Sequence, residues 1–359
     1  MKKLVIIALT LLFCLPISAG DFEVHRGVNI SHWLSQSDRR GAERVAWFTE
    51  DDVKLIAGLG FDHIRIPIDE EQMFDENLEM ETEAFQLLHS AISWCEKAGL
   101  KVLVDLHILR SHYFNAKEKP LFTEKAAQEN FYECWRVLSR ELKRYPRQLL
   151  AFELMNEPVA DDPETWNTIV NRCLEEVRKI DRRRTVVIGA NRWQSFDMVE
   201  HLRVPEKDKN VILSFHFYEP FALTHYHASW DEGMSKLPCF VQYPGEVIPD
   251  HEWAKLTEAE KIRYEEDRGY FDRSVLESMV ARAVAAAEKS DRSLYLGEFG
   301  VLQPGADEKD ALCWYRDLIS VCDQFGVAYA SWDYKGGFGL FYPDGSLKKE
   351  MADILTGKY

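Results

Sequence analysis

Apolar positions along this chain follow two alternating rhythms. Short β-branched runs recur at VHRGVNI (24–30), HIRIPI (63–68), KVLVDLH (101–107), LLAFELMNE (149–157), TVVIGA (185–190), VILSFHF (211–217), LYLGEFG (294–300) and VAYASWD (327–333). They are almost continuously apolar rather than alternating, as parallel strands covered on both faces should be. Between them, apolar residues fall three and four apart. Phe85, Leu88, Ile92 and Cys95 form one helical stripe, closed by Gly99. Trp166, Ile169, Cys173 and Val177 form another, opened by Asp162 as N-cap and Pro163 as first helical residue. Thr49 with Asp52 reads as a capping box ahead of Val53, Ile56 and Ala57. Eight strands separated by helices predict an α/β fold, a single (β/α)8 TIM barrel over residues 21–359. A doubly wound open sheet is the alternative, but no glycine-rich phosphate loop follows any strand.

One interval breaks the rhythm. More than fifty residues separate Phe217 from the helical pattern at Val275–Ala287, and they hold Tyr218, Phe221, Tyr226, Trp230, Phe240, Tyr243 and Trp253. A long aromatic-rich insertion after strand six is expected at the C-terminal rim, where barrels place their sites.

The first twenty residues read as a signal peptide: Lys2 and Lys3, an apolar run from Leu4 to Leu15, then Pro16 and ISAG. That run is too short to span a bilayer, and no later segment is long enough. Cys14 follows bulky Phe13, which speaks against a lipid anchor. The expected location is secreted or periplasmic. The formal net charge is −16, and removing Lys2 and Lys3 with the leader would take it to −18. Such an acidic chain excludes nucleic acid and anionic membranes as natural partners and suits a neutral ligand. Six cysteines lie beyond the leader. Cys95, Cys134 and Cys173 fall in register with apolar helix positions and read as small buried side chains. Cys313 and Cys322 are nine apart in one helical segment, too far for a local bridge. There is no CxxC and no metal-ligand spacing; His225 and His227, even with His216, lack a carboxylate at ligand spacing, so neither metal nor cofactor is expected.

Barrels gather functional groups at the C-terminal ends of their strands. Those ends read Asn29, Arg65, His107, Asn156 with Glu157, Trp193 just past strand five, His216 with Tyr218, Glu298, and Trp332. Any one of these has a structural explanation, such as an Arg65–Glu298 ion pair or a core histidine. Their convergence on one end of one barrel argues for a site. Two carboxylates from strands four and seven would face each other across the mouth. About 5–5.5 Å between them suits a retaining glycosidase, and about 6.5–9.5 Å an inverting one. Arg65 and Tyr218 are placed to keep Glu298 ionised. Glu157 would then carry the proton, with His216 as tuner. Asn156 can meet a sugar hydroxyl and Trp332 a pyranose face. Trp33, Trp193 and Tyr113 are further candidate platforms.

Here the chain resembles a known group. LMNEP on the fourth strand and LGEFG on the seventh are similar to the two glutamate motifs of glycoside hydrolase family 5, the cellulase-type retaining barrels of clan A. RGVNISHW, HIRIPID, VLVDLH, FHFYEP and SWDY agree along the rest of the chain. The resemblance implies that Arg65, His107, Asn156, Glu157, His216, Tyr218, Glu298 and Trp332 fill the family's eight active-site positions, with Glu157 as acid/base and Glu298 as nucleophile. One departure stands out: many members carry a second histidine directly after the one on strand three, whereas Ile108 follows His107 here and the next histidine is His112. The resemblance implies an exported endo-β-1,4-glucanase acting on a β-linked polysaccharide or oligosaccharide. A β-mannanase, a xyloglucanase, an exo-β-1,3-glucanase and a non-catalytic glycan-binding barrel are the alternatives, and the oligomeric state stays open.

Overall fold

The structure, a computed structural model, describes residues 17–19, 22–303 and 305–358. Apart from Ile17–Ala19, the leader expected over 1–20 lies outside the described residues. Eight parallel strands close into a barrel: β1 Arg26–Asn29, β2 His63–Asp69, β3 Lys101–Ile108, β4 Leu150–Glu153, β5 Val186–Gly189, β6 Val211–Phe217, β7 Ser293–Phe299 and β8 Ala328–Ser331. β8 pairs with β1 and completes the ring. The outer layer is α1 Glu50–Leu59, α2 Thr82–Ala98, α3 Lys125–Leu142, α4 Pro163–Ile180, α5 Arg273–Lys289, α6 Glu308–Phe325 and α7 Lys349–Leu355.

The helix signals act as their chemistry requires. Asp52 accepts from the Thr49 backbone at 2.8 Å, Asp162 accepts from the Glu164 backbone at 3.0 Å, and Gly99 ends α2 at φ 76°. Cys95, Cys134 and Cys173 are buried.

Two expectations need correction. The crossover from β5 to β6 holds no long helix, only a turn at Asn191–Gln194 and a 3-10 segment, Phe196–His201. Arg192, Trp193 and Gln194 take φ of 51°, 58° and 55°, and no right-handed helix continues through three left-handed residues. Strand four stops at Glu153 rather than Glu157, so Asn156 and Glu157 stand on a loop above the sheet.

Inward side chains are stacked by chemistry. Leu103, Ala151, Val187, Ile212, Tyr295, Ala328 and Ala330 form the lower interior, plugged by Phe22 and Val24 of the N-terminal strand Phe22–Val24. Two residues higher on the same strands come Asp105, Glu153 and Ser214; His107 and His216 follow two residues above that. Glu298 needs a special device. Leu294 and Leu296, of the same parity, face the outer core, so a regular strand would point Glu298 outward. The β7–β6 register jumps from Leu296–Phe215 to Glu298–His216, leaving Gly297 as a bulge that turns Glu298 into the barrel. A Cβ on Gly297 would lie 3.0 Å from His216 Nε2 and Ser214 Oγ, so only glycine fits without displacing them.

The insertion between Phe217 and Arg273 faces two ways. Tyr218, Phe221 and Trp230 reach the barrel mouth. Tyr243 is buried, donating to Asp317 of α6 at 2.7 Å, and Tyr226 donates to the Cys239 carbonyl at 2.8 Å. A two-residue ladder, Gly245–Glu246 with Tyr270–Phe271, ties its middle to its C-terminal end. About half of the aromatic signal therefore builds the insertion rather than the site.

Candidate active site

Arg65 is the hub of the mouth. Its Nε donates to Glu153 at 2.7 Å, Nη1 to Asn29 at 2.9 Å and Glu298 at 2.7 Å, and Nη2 to Asn156 at 2.9 Å. Nη2 also lies 3.1 Å from Asp105. Burial alone would disfavour the charged guanidinium, but Asp105, Glu153 and Glu298 outweigh it and hold Arg65 charged. Asn29 is wholly used in scaffolding: its amide donates to the carbonyls of Gly297, Ala330 and Ser331. Asn156, by contrast, is fully buried and keeps an unpartnered side-chain NH2 next to Glu157 in the chain.

Glu157 and Glu298 face each other, with a carboxylate oxygen of each within 4.8 Å of the other. His216 bridges them, its Nδ1 3.0 Å from Glu157 and 3.7 Å from Glu298. Tyr218 donates to the second oxygen of Glu298 at 3.1 Å. Their environments differ. Burial, then the charge of Glu298, pushes Glu157 well above the usual carboxylate range. Burial raises Glu298 too, but Arg65 directly opposes it, so of the pair Glu298 ionises first. His216 is held neutral by burial and by Arg65. A neutral Nδ1 can accept the proton of the acid form of Glu157.

Two residues of this centre escaped the strand-end reading: Asp105 and Glu153, which sit one inward step lower. Burial raises Asp105 to about 7 against the pull of Arg65, and its carboxylate meets His107 Nδ1 at 2.7 Å. That contact sets the ring stacked on Trp332, with centroids 5.5 Å apart and planes 8° from parallel. Burial pushes His107 down to about 3, so the stacked ring is neutral. A charged residue inside an otherwise apolar run, as in VLVDLH and FELM, was the available signal.

The mouth opens into two adjoining cavities. One, of about 680 Å³, is lined by His107, Tyr113, Trp332 and Glu298; the other, of about 450 Å³, by Trp193, Phe196, His216 and Trp230. Glu157, Tyr218 and Trp230 are among the residues that line both. Trp193 and Trp230 are half-exposed and Tyr113 somewhat less so, as platforms require. Trp33 is not one: it is fully buried and donates to the Arg44 carbonyl at 2.9 Å. His225 and His227 do not join His216 in one group of ligand atoms among the described residues. His225 stacks on Phe221 and meets the Thr224 hydroxyl, while His227 lies 3.3 Å from the Leu237 carbonyl. Among the described residues, Glu157, His216 and Glu298 bring one ligand atom each within 4.8 Å, and Arg65 supplies Glu298 with its counter-charge at 2.7 Å.

Opposed carboxylates of unequal acidity, set in a barrel mouth walled by flat aromatic faces, define a glycoside hydrolase. The comparisons carry this to a family. Residues 23–337 match the model of the cellulase family, glycosyl hydrolase family 5. Endoglucanase C of Acetivibrio thermocellus is 32% identical over 338 residues, covering 92% of this chain and 97% of its own. Cellodextrinase A of Ruminococcus flavefaciens is 29% identical, covering 84% and 83%. Among solved structures, Cel5A of Thermotoga maritima in complex with cellobiose is 25% identical with a TM-score of 0.75, covering 92% and 97%. The chain belongs to glycosyl hydrolase family 5.

Proposed function

We propose that the protein is an endo-acting β-1,4-glucanase working with net retention, with Glu298 as nucleophile and Glu157 as acid and then base. The observation that carries this is the approach of the two carboxylates, an oxygen of each within 4.8 Å of the other, which accords with the close spacing of about 5–5.5 Å that retaining pairs use. In the first step, Glu298 attacks the anomeric carbon while Glu157 gives its proton to the departing glycosidic oxygen. In the second, Glu157, now ionised, takes a proton from water, which displaces Glu298 from the sugar. Arg65 and Tyr218 hold Glu298 ionised and aimed, and the unpartnered amide of Asn156 can bind the hydroxyl next to the reacting carbon. His107 and Trp332 form the floor for the sugar on one side, Trp193 walls the other, and Trp230 borders both. Room on both sides of Glu157 supports cleavage within a chain.

The substrate reading is supported by relatives named as endoglucanases and by a solved relative bound to cellobiose. A β-mannan is the second reading, because Thermotoga maritima Cel5A is also solved with mannotriose. The leader sequence supports export, and no helix among the described residues is long and apolar enough to cross a membrane.

The test is hydrolysis of carboxymethylcellulose, barley β-glucan, xyloglucan, glucomannan and laminarin. The expected result is cutting of a β-1,4-glucan to mixed oligosaccharides whose new reducing ends appear first as the β-anomer by proton NMR. An α-anomer would refute retention, and release of one small product from chain ends would refute endo action. Binding without cutting would favour the glycan-binding barrel.

The pH profile gives a second prediction. Activity needs Glu157 protonated and Glu298 ionised, so the rate should fall as pH rises through the elevated value of Glu157 and as it falls through that of Glu298. The basic limb should therefore lie well above the ordinary carboxylate value of 4.5. A basic limb that survives in Glu157→Gln would show that another group supplies the proton.

A further inference from the structure

We infer that Gln194 and His112 are positioning residues that clamp the backbone of Glu157 and thereby aim its carboxyl. The inference rests on reading Glu157 as the acid. Glu157 sits at φ 44°, a left-handed conformation that a residue with a Cβ disfavours and that neighbours must therefore hold. Two contacts hold it. The Glu157 N–H donates to Gln194 Oε1 at 2.8 Å, and its carbonyl accepts from His112 Nε2 at 3.0 Å. Neither contact touches the carboxylate.

Both clamping side chains are fixed in turn. The Gln194 amide donates to Ser214 Oγ at 3.0 Å and to Glu153 Oε1 at 3.3 Å, which settles the orientation of its oxygen toward Glu157. It lies flat on β5, where a Cβ on Gly189 would fall 2.4 Å from Gln194 Cδ. Its own backbone is left-handed, in the same turn that carries the platform Trp193. A carbonyl can only accept, so His112 carries its proton on Nε2; burial keeps the ring neutral at pH 7, its value lowered to about 4. Phe122 packs edge-on against that ring, centroids 5.2 Å apart. His112, reached four residues after Ile108, thus acts on Glu157 from its carbonyl side. One turn joins the aromatic wall to the proton donor, and one loop histidine closes the clamp.

A clamp on the acid matters only where the leaving group needs a proton. Gln194→Met keeps length and bulk but removes the acceptor. Its kcat/KM should fall about 100-fold on cellotetraose and by no more than about threefold on 2,4-dinitrophenyl β-cellobioside, whose phenolate leaves without help. His112→Phe keeps the ring against Phe122 and should show the same split, so the test survives if one variant fails to fold. Glu157→Ala is the reference. If Glu157→Ala splits the two substrates but folded clamp variants lose both equally or neither, the clamp is overturned. If Glu157→Ala shows no split, the reading of Glu157 as the acid falls, and the clamp with it.

Discussion

Glu298→Ala should lower kcat on soluble β-glucan by on the order of 10⁵-fold, about 7 kcal/mol of barrier, while the protein remains folded. The size follows from the chemistry: without Glu298 no covalent glycosyl intermediate forms, and water on the same face has neither base nor room. Stability should hold, because Arg65 keeps Glu153 and Asp105 as partners and one of several crowded buried carboxylates is gone. Azide added to the variant should enter the vacated space. Attack from the nucleophile's side on an activated β-cellobioside would then give the α-glycosyl azide. Enzyme assays, thermal unfolding and NMR of the azide product read the three parts. Residual activity within about tenfold of the parent would remove Glu298 from the reaction. A β-glycosyl azide would assign to Glu298 the role given to Glu157.

The barrel was legible because its period is simple. Parallel strands buried on both faces read as continuous apolar runs, and helix starts and stops carry their own chemistry at Thr49, Asp162 and Gly99. The ends of those strands named Glu157 and Glu298 correctly as facing residues, yet parity alone would have failed for Glu298. Leu294 and Leu296 point outward, and only the bulge at Gly297 brings the carboxylate inside. A bulge depends on pairing with β6, which no local pattern reports. Asp105 and Glu153 were missed for the opposite reason. They obey parity, but a reading confined to strand ends stops one layer too high. Trp33 looked like a sugar platform by composition and proved to be core, because its burial is decided by packing against Phe48, ring centroids 5.1 Å apart. The turn at Arg192–Gln194 was the least legible. Three left-handed residues without a glycine contradict local preference, and tertiary contacts from Gln194 to Glu153, Ser214 and Glu157 impose them.

That layered arrangement makes Arg65 the shared counter-charge of the buried carboxylates Asp105, Glu153 and Glu298. Arg65→Met removes the charge and four hydrogen-bond partners while filling similar volume, and should destabilise the fold by about 3–5 kcal/mol at neutral pH. The deficit should depend on pH in a stated direction. In the parent, Asp105, Glu153 and Glu298 already sit above their ordinary values of 3.8 and 4.5, Asp105 at about 7. The folded state therefore binds more protons than the unfolded chain between those ordinary values and the raised ones, and these groups lose stability as pH rises through that window. Without Arg65 all three rise further, so the window widens upward and the loss grows. Denaturant unfolding of parent and variant at pH 5 and pH 8 should show the smaller difference at pH 5, where the orphaned carboxyls take up protons. A difference equal at both values would mean that Arg65 contributes packing rather than charge balance. The variant should also lose activity where folded, because Glu298 loses the cation that opposes the effect of burial and aims its carboxylate.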